Sequence, residues 1–116
     1  TKMPDVELMR KAAGYVVGTH DFAAFAATGS TVKDFVRTVY DLTIKREAND
    51  ILLEITGNGF LYNMVRIVVG TLLDVGYGKY PPEFVSEIIQ KRDRTLAGKT
   101  MPPEGLYLKS VVYGGD

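Results

Sequence analysis

Apolar positions near the start of the chain recur at helical spacing. Val6, Met9, Ala13, Val16 and Val17 line one side of a helix drawn through this stretch. Pro4-Asp5-Val6-Glu7 opens it, with proline in the first turn and acids near the positive end of the helix dipole, and Gly18 is a plausible stop. His20-Asp21-Phe22-Ala23-Ala24-Phe25 then reads as a short helical turn or compact loop, and Thr28-Gly29-Ser30 as a flexible joint.

From Val36 the period changes to two. Val36, Thr38, Tyr40, Leu42 and Ile44 fall on one side of a strand, and Arg37, Asp41, Thr43 and Lys45 on the other, with Val39 among them. Ala48-Asn49-Asp50 supplies a turn. Ile51, Leu53 and Ile55 then alternate with Leu52, Glu54 and Thr56. The pair predicts an antiparallel hairpin with one face buried. Gly57-Asn58-Gly59 ends the second strand, because Gly and Asn tolerate positive φ.

Residues Phe60 to Val75 are apolar nearly all round, the pattern of a buried helix, and Gly76-Tyr77-Gly78 closes them. Pro81 or Pro82 opens another helix with Phe84, Val85, Ile88 and Ile89 inward. A loop through Arg94 and Met101-Pro102-Pro103 leads to a last strand, Gly105 to Tyr113, with Leu106, Leu108 and Val112 on one face. The expected fold class is α+β: an antiparallel sheet of about three strands covered by helices. No repeat or low-complexity tract is present.

Composition narrows the chemistry. One hundred and sixteen residues suit one domain with its own core. No cysteine and a single histidine exclude disulfides, thiolate metal sites and multi-histidine metal clusters, and no dense Asp/Glu pattern suggests a carboxylate metal site. Fourteen basic and 14 acidic residues cancel, so bulk charge does not drive nucleic-acid binding, although a local basic strip can. The most apolar stretch, Ile67 to Leu73, is far shorter than the roughly 20 residues a bilayer span needs. No signal peptide is visible behind Thr1-Lys2-Met3-Pro4. The chain is read as a piece of a longer cytoplasmic protein, with a processed mature protein as the other reading.

One residue stands against its surroundings. Arg66 is the only cation between Glu47 and Gly78, flanked by Met64, Val65, Ile67, Val68 and Val69. A charge in such a helix needs a partner, since desolvation costs several kcal/mol per ion. It either snorkels to water or pairs structurally with Asp74 or Glu54, or it aims a guanidinium at an anion in a cleft, a phosphate or a catalytic carboxylate. The glycines of Gly57-Asn58-Gly59 either make a tight strand-to-helix turn or let a ligand approach the backbone.

These residues also carry a resemblance. Gly57-Asn58-Gly59-Phe60-Leu61-Tyr62-Asn63-Met64-Val65-Arg66, followed by Gly70-Thr71-Leu72, resembles the segment of TruA-type tRNA pseudouridine synthases that holds their active-site arginine. Gly18-Thr19-His20-Asp21-Phe22 with Phe25 resembles the opening of their C-terminal domain. Asp93-Arg94-Ala97-Gly98, Pro102 and Gly105-Leu106-Leu108 with Val111 and Tyr113 resemble their C-terminal signature. The segments follow the family's order from about Gly18 to Tyr113.

The resemblance implies half of a pseudouridine synthase fold: residues 1–116 as the C-terminal domain, without the N-terminal domain that carries the catalytic aspartate. It implies isomerisation of uridine to pseudouridine in the anticodon stem-loop of tRNA, at nucleotides thirty-eight to forty, with no cofactor and no metal. The target base is flipped out of its stack, an aspartate performs the key step, and the base detaches, rotates and reattaches. Arg66 would pair with that aspartate, keeping it ionised and directed. The family works as a homodimer with tRNA crossing both subunits. The family's Gly-Arg-Thr-Asp-Ala-Gly motif is missing here: Arg37-Thr38 and Arg94-Thr95 are followed by Val39 and Leu96. The piece alone is therefore expected to be inactive, and Asp21, Asp74 and Asp93 are assigned to surface, capping or ion-pair roles.

The remaining candidates divide between RNA contact and structure. His20 contacts RNA or holds its turn through a ring hydrogen bond. Phe22 and Phe25 wall a base site or fill the core. Tyr62 and Asn63 line the cleft near Arg66, or Tyr62 is core. Leu106 and Leu108 sit near the uracil pocket or merely pack their strand. Lys91, Arg92, Arg94 and Lys99 grip phosphates or solvate a helix end. A non-catalytic RNA-binding or dimerisation module sharing the fold is the alternative to an enzyme fragment.

Overall fold

The computed structural model describes residues 3–27, 33–48 and 50–101, and the backbone of 107–112. The fold is α+β, a mostly antiparallel sheet with one parallel strand, backed by helices. Helix α1 (Val6–Val16) leads to strand β1 (Gly18–Asp21) and a 3-10 turn (Ala23–Phe25). Strands β2 (Val36–Glu47) and β3 (Asp50–Gly57) follow, then helices α2 (Met64–Gly76) and α3 (Phe84–Lys91), a second 3-10 turn (Arg94–Leu96) and strand β4 (Tyr107–Val112).

The sheet order is β1-β2-β3-β4. The first three strands pair antiparallel. β4 joins β3 in parallel, Leu53 standing opposite Leu108. The sheet is thus one short strand wider than the pattern predicts, because Gly18–Asp21 pairs with Val36–Val39 instead of staying in a loop. Leu106 and Tyr113 lie outside the described residues.

The start of α1 matches its acidic signals, while Pro4 lies just before the N-cap and not in the first turn. Asp5 is the N-cap, its Oδ1 accepting the Leu8 N–H at 3.2 Å, and Met9, Ala12, Ala13 and Val16 are buried. Arg10 Nε donates to Ile44 O at 2.8 Å, and Arg46 donates to Pro4 O at 3.1 Å, tying α1 to the far end of β2. The Asp5 N–H donates to Gly76 O at 2.8 Å, seating the same helix end on α2.

Strand β2 departs from strict alternation. Val39 pairs with Gly57 and Asp41 with Thr56, so Tyr40 is an extra residue in a β-bulge. The bulge turns Val39 inward with Leu42 and Ile44 and leaves Tyr40 and Val36 exposed, the reverse of the face that an unbroken period of two assigns them.

One core cluster runs from Met9 and Val16 through Phe22, Phe25, Val39, Ile44, Leu53 and Ile55 to Ile67, Leu72, Val75, Val85 and Ile88. Burial at roughly 25 cal/mol per Å² of apolar surface is what holds these layers together. The opposite sheet face carries Thr43, Lys45, Leu52 and Glu54, which line a depression of about 190 Å³ with no helix residue on it.

Candidate functional site

Helix α2 starts at Met64, four residues later than its apolar run suggests. Two positive-φ residues explain the delay. Gly59 has φ 155°, and Asn63, the N-cap, sits in the left-handed region at φ 62° and ψ 4°. Gly57 cannot carry a side chain either, since a Cβ would stand 2.7 Å from Thr38 O. Asn58 extends the hairpin: its N–H donates to Thr38 O at 3.0 Å and its Oδ1 accepts the Thr38 N–H at 2.9 Å. Gly57 and Asn58 therefore build a strand-to-helix turn. Gly59 has nothing within 4 Å of where a Cβ would stand.

That turn sets the residues around Arg66. Arg66 is half-buried on the first turn of α2, and its guanidinium donates to Asn63 Oδ1. Among the described residues it makes no ion pair; Asp74 is engaged by Lys79 at 3.9 Å and by the Tyr80 hydroxyl at 3.4 Å. Tyr62, one turn earlier, is 75% exposed, so it is not core. The structure therefore brings Tyr62, Asn63 and Arg66 together at the mouth of one helix.

The other candidates separate. His20 Nε2 lies 3.1 Å from Val17 O and the ring meets Phe22 edge-on at 5.5 Å, so the imidazole serves its own turn. Phe22 and Phe25 are fully buried and pack on each other at 6.0 Å, so Phe22 has no face to offer a base. Arg94 turns inward: it donates to Gly98 O at 2.8 Å and to Thr100 Oγ1 at 3.4 Å. Lys91 pairs with Glu87 and Arg92 with Asp21, each at 3.7 Å and with the cation exposed, and Lys99 is exposed as well. Leu106 lies outside the described residues.

The three acids are occupied structurally. Asp21 Oδ1 accepts the Ala23 N–H at 3.0 Å. Asp93 caps the second 3-10 turn through the Thr95 hydroxyl and N–H, two bonds that hold its carboxyl below the usual carboxylate range. Asp74 helps hold the Tyr80 phenol protonated. Burial first, then the Asp74 charge and hydrogen bond, push that phenol up to about 12.

Thr71 is the residue that pattern reasoning passed over. It is the buried polar side chain of α2, donating to Ile67 O at 2.9 Å and accepting the Gly98 N–H at 2.9 Å. A lone hydroxyl among the apolar residues between Arg66 and Asp74 was the available signal, since a buried hydroxyl needs partners.

Comparison with known proteins follows the same residues. The family described as tRNA pseudouridine synthase matches positions 12–114. The chain is 55% identical over 109 residues to a protein named tRNA pseudouridine synthase A of Thermoanaerobacter sp., covering 94% of this chain and 45% of the relative. Proteins of the same name from Acetivibrio thermocellus and Bacillus velezensis are 52% and 50% identical over 109 residues. The chain spans about 45% of the length of the curated relatives it matches.

Proposed function

The chain belongs to the tRNA pseudouridine synthase family, and from that premise we propose that it is the C-terminal domain of a synthase whose catalytic aspartate lies in an N-terminal domain of the same protein. The substrate is uridine in the anticodon stem-loop of tRNA, at nucleotides thirty-eight to forty, and the product is pseudouridine. The observation that carries this reading is Arg66, a half-buried guanidinium bonded to an amide oxygen and, among the described residues, to no carboxylate. Its charge is left for an anion that approaches the mouth of α2.

A carboxylate arriving there meets a planar fork that can hold both its oxygens. The guanidinium keeps it ionised and fixes its direction. With the uridine flipped from its stack, the aspartate performs the key step, and the base detaches, rotates and reattaches through carbon. Tyr62 offers an exposed ring beside this point, suited to stack on a base or to rest on RNA. Asn63 directs Arg66. Leu106 is assigned to the proposed uracil pocket. The full protein acts on tRNA as a homodimer in the cytoplasm. No helix of the described residues is long and apolar enough to cross a membrane.

The test compares this chain with the full-length protein on unmodified tRNA transcripts. The full-length protein should form pseudouridine, losing the signal when uridines thirty-eight to forty are replaced, and the chain alone should form none. Turnover by the chain alone would require another carboxylate. A full-length protein that binds tRNA without converting it would make the domain a binding or dimerisation module.

A further inference from the structure

Beyond the 3-10 turn Arg94–Leu96, the chain lies along α2 like a strap. The Gly98 N–H donates to Thr71 Oγ1, and the Met101 N–H donates to Arg66 O at 3.3 Å. Between these two bonds the backbones touch. A Cβ on Gly70 would stand 2.0 Å from Lys99 O, and a Cβ on Gly98 would stand 2.6 Å from the Gly70 carbonyl carbon. No side chain fits at the crossing, so strap and helix meet backbone to backbone.

The strap is fastened on both sides. On the helix side, the Thr71 hydroxyl uses its donor on Ile67 O and accepts from Gly98, which leaves its bonding complete in a site 1% exposed. On the outer side, Arg94 reaches back to Gly98 O and Thr100 Oγ1, while Asp93 caps the turn that carries Arg94. The strap therefore bonds α2 at Thr71 and at the carbonyl of Arg66 itself.

We propose that Arg94 and Thr71 are positioning residues: they fasten segment 98–101 along α2 and thereby set the placement of the Arg66 guanidinium in the active site. This rests on the reading of Arg66 above and deepens it. It also removes Arg94 from the phosphate contacts. A guanidinium spent on a carbonyl and a hydroxyl of its own loop holds that loop, and a small misplacement of a catalytic group costs up to about a hundredfold in rate.

The experiment uses the full-length protein, with Thr71→Val, Thr71→Ser and Arg94→Met made in both the Arg66 and the Arg66→Lys backgrounds. Single-turnover pseudouridine formation and tRNA affinity are measured at several salt concentrations. Thr71→Val and Arg94→Met should slow the single-turnover step by about tenfold to a hundredfold with affinity unchanged, and Thr71→Ser should restore the rate. In the Arg66→Lys background the same changes should cost little more, because they act through the same side chain. If Thr71→Val does not fold, Arg94→Met carries the test from outside the core.

Equal losses in both backgrounds would overturn the proposal, leaving the strap a source of stability only. So would a normal rate in both variants beside an impaired Arg66→Lys, which spares the Arg66 reading. Weaker binding by Arg94→Met, with a salt slope reduced by about one, would make Arg94 a phosphate contact. An unimpaired Arg66→Lys would overturn both the strap and the reading beneath it.

Discussion

Asn63 accepts a hydrogen bond from the Arg66 guanidinium across one helical turn, while its own backbone occupies the left-handed region. One residue thus ends the preceding turn, starts α2 and orients the charge. The backbone's part and the side chain's part can be separated by substitution. Asn63→Gly keeps the backbone and loses the amide; Asn63→Ala loses both. Urea denaturation should find Asn63→Ala less stable than Asn63→Gly by about 1 kcal/mol, and single-turnover rates of the full-length protein should fall in both. Equal stability would show that φ at this position is not constrained.

Arg66→Lys keeps the charge and loses the planar fork. In the full-length protein the single-turnover rate should fall about a hundredfold, near 3 kcal/mol, as expected when one oriented donor is removed from a closed site. Affinity for tRNA should hold, since phosphate contacts spread over a large surface supply most of it. A loss confined to binding would make Arg66 a phosphate ligand.

Two glycines should respond oppositely to alanine. Gly14 lies in α1 with nothing within 4 Å of where its Cβ would stand. Gly14→Ala should raise stability by about 0.5–1 kcal/mol through helix propensity and a less flexible unfolded chain. Gly70→Ala places its Cβ against Lys99 O and should cost on the order of 1–3 kcal/mol or more, as overpacking does. Thermal melts of the two variants beside the parent chain decide this; a tolerated Gly70→Ala would mean that the strap lifts easily.

Tyr80 gives the fold an alkaline limit. Its phenol titrates near 12 in the folded chain and near 10 when unfolded. Between those values the folded state holds the proton and the unfolded state has released it, so stability present below pH 10 is lost as pH rises through the folded value. Absorbance titration should lose a late-ionising component when Tyr80 is replaced by phenylalanine. Tyr80→Phe should flatten the loss of stability over that window; an unchanged alkaline profile would remove Tyr80 as its cause.

Local signals carried much of the structure. The capped face of α1, the β2–β3 hairpin and the glycine turn before α2 follow from spacing and turn chemistry that neighbours in sequence supply. The face of β2 did not follow, because the bulge at Tyr40 depends on how β3 pairs, and a single inserted residue exchanges the two faces beyond it. β1 was hidden for the same reason: Gly18–Asp21 is a strand only because β2 lies beside it.

The site divides along the same line. Arg66 stood out as a charge among apolar neighbours. Phe22 and Arg94 did not declare their roles, since an aromatic ring reads alike whether it meets a base or the core. An arginine reads alike whether it meets a phosphate or a carbonyl of its own loop. The distances to Phe25, Gly98 and Thr100 give what each side chain touches within this chain, which spacing alone does not.

The parallel pairing of β4 governs the order in which the sheet closes. β1, β2 and β3 join neighbours in sequence, but Leu52 waits for Tyr107, more than fifty residues later. Such distant pairings carry a large loop-closure cost and form slowly. On a ribosome the hairpin, α2 and α3 emerge first, with the free edge of β3 exposed until β4 is released. An unpaired edge is a template for other chains. Truncation before Tyr107 should therefore turn a folding domain into an aggregating one, and the final six residues of the sheet act as its guard.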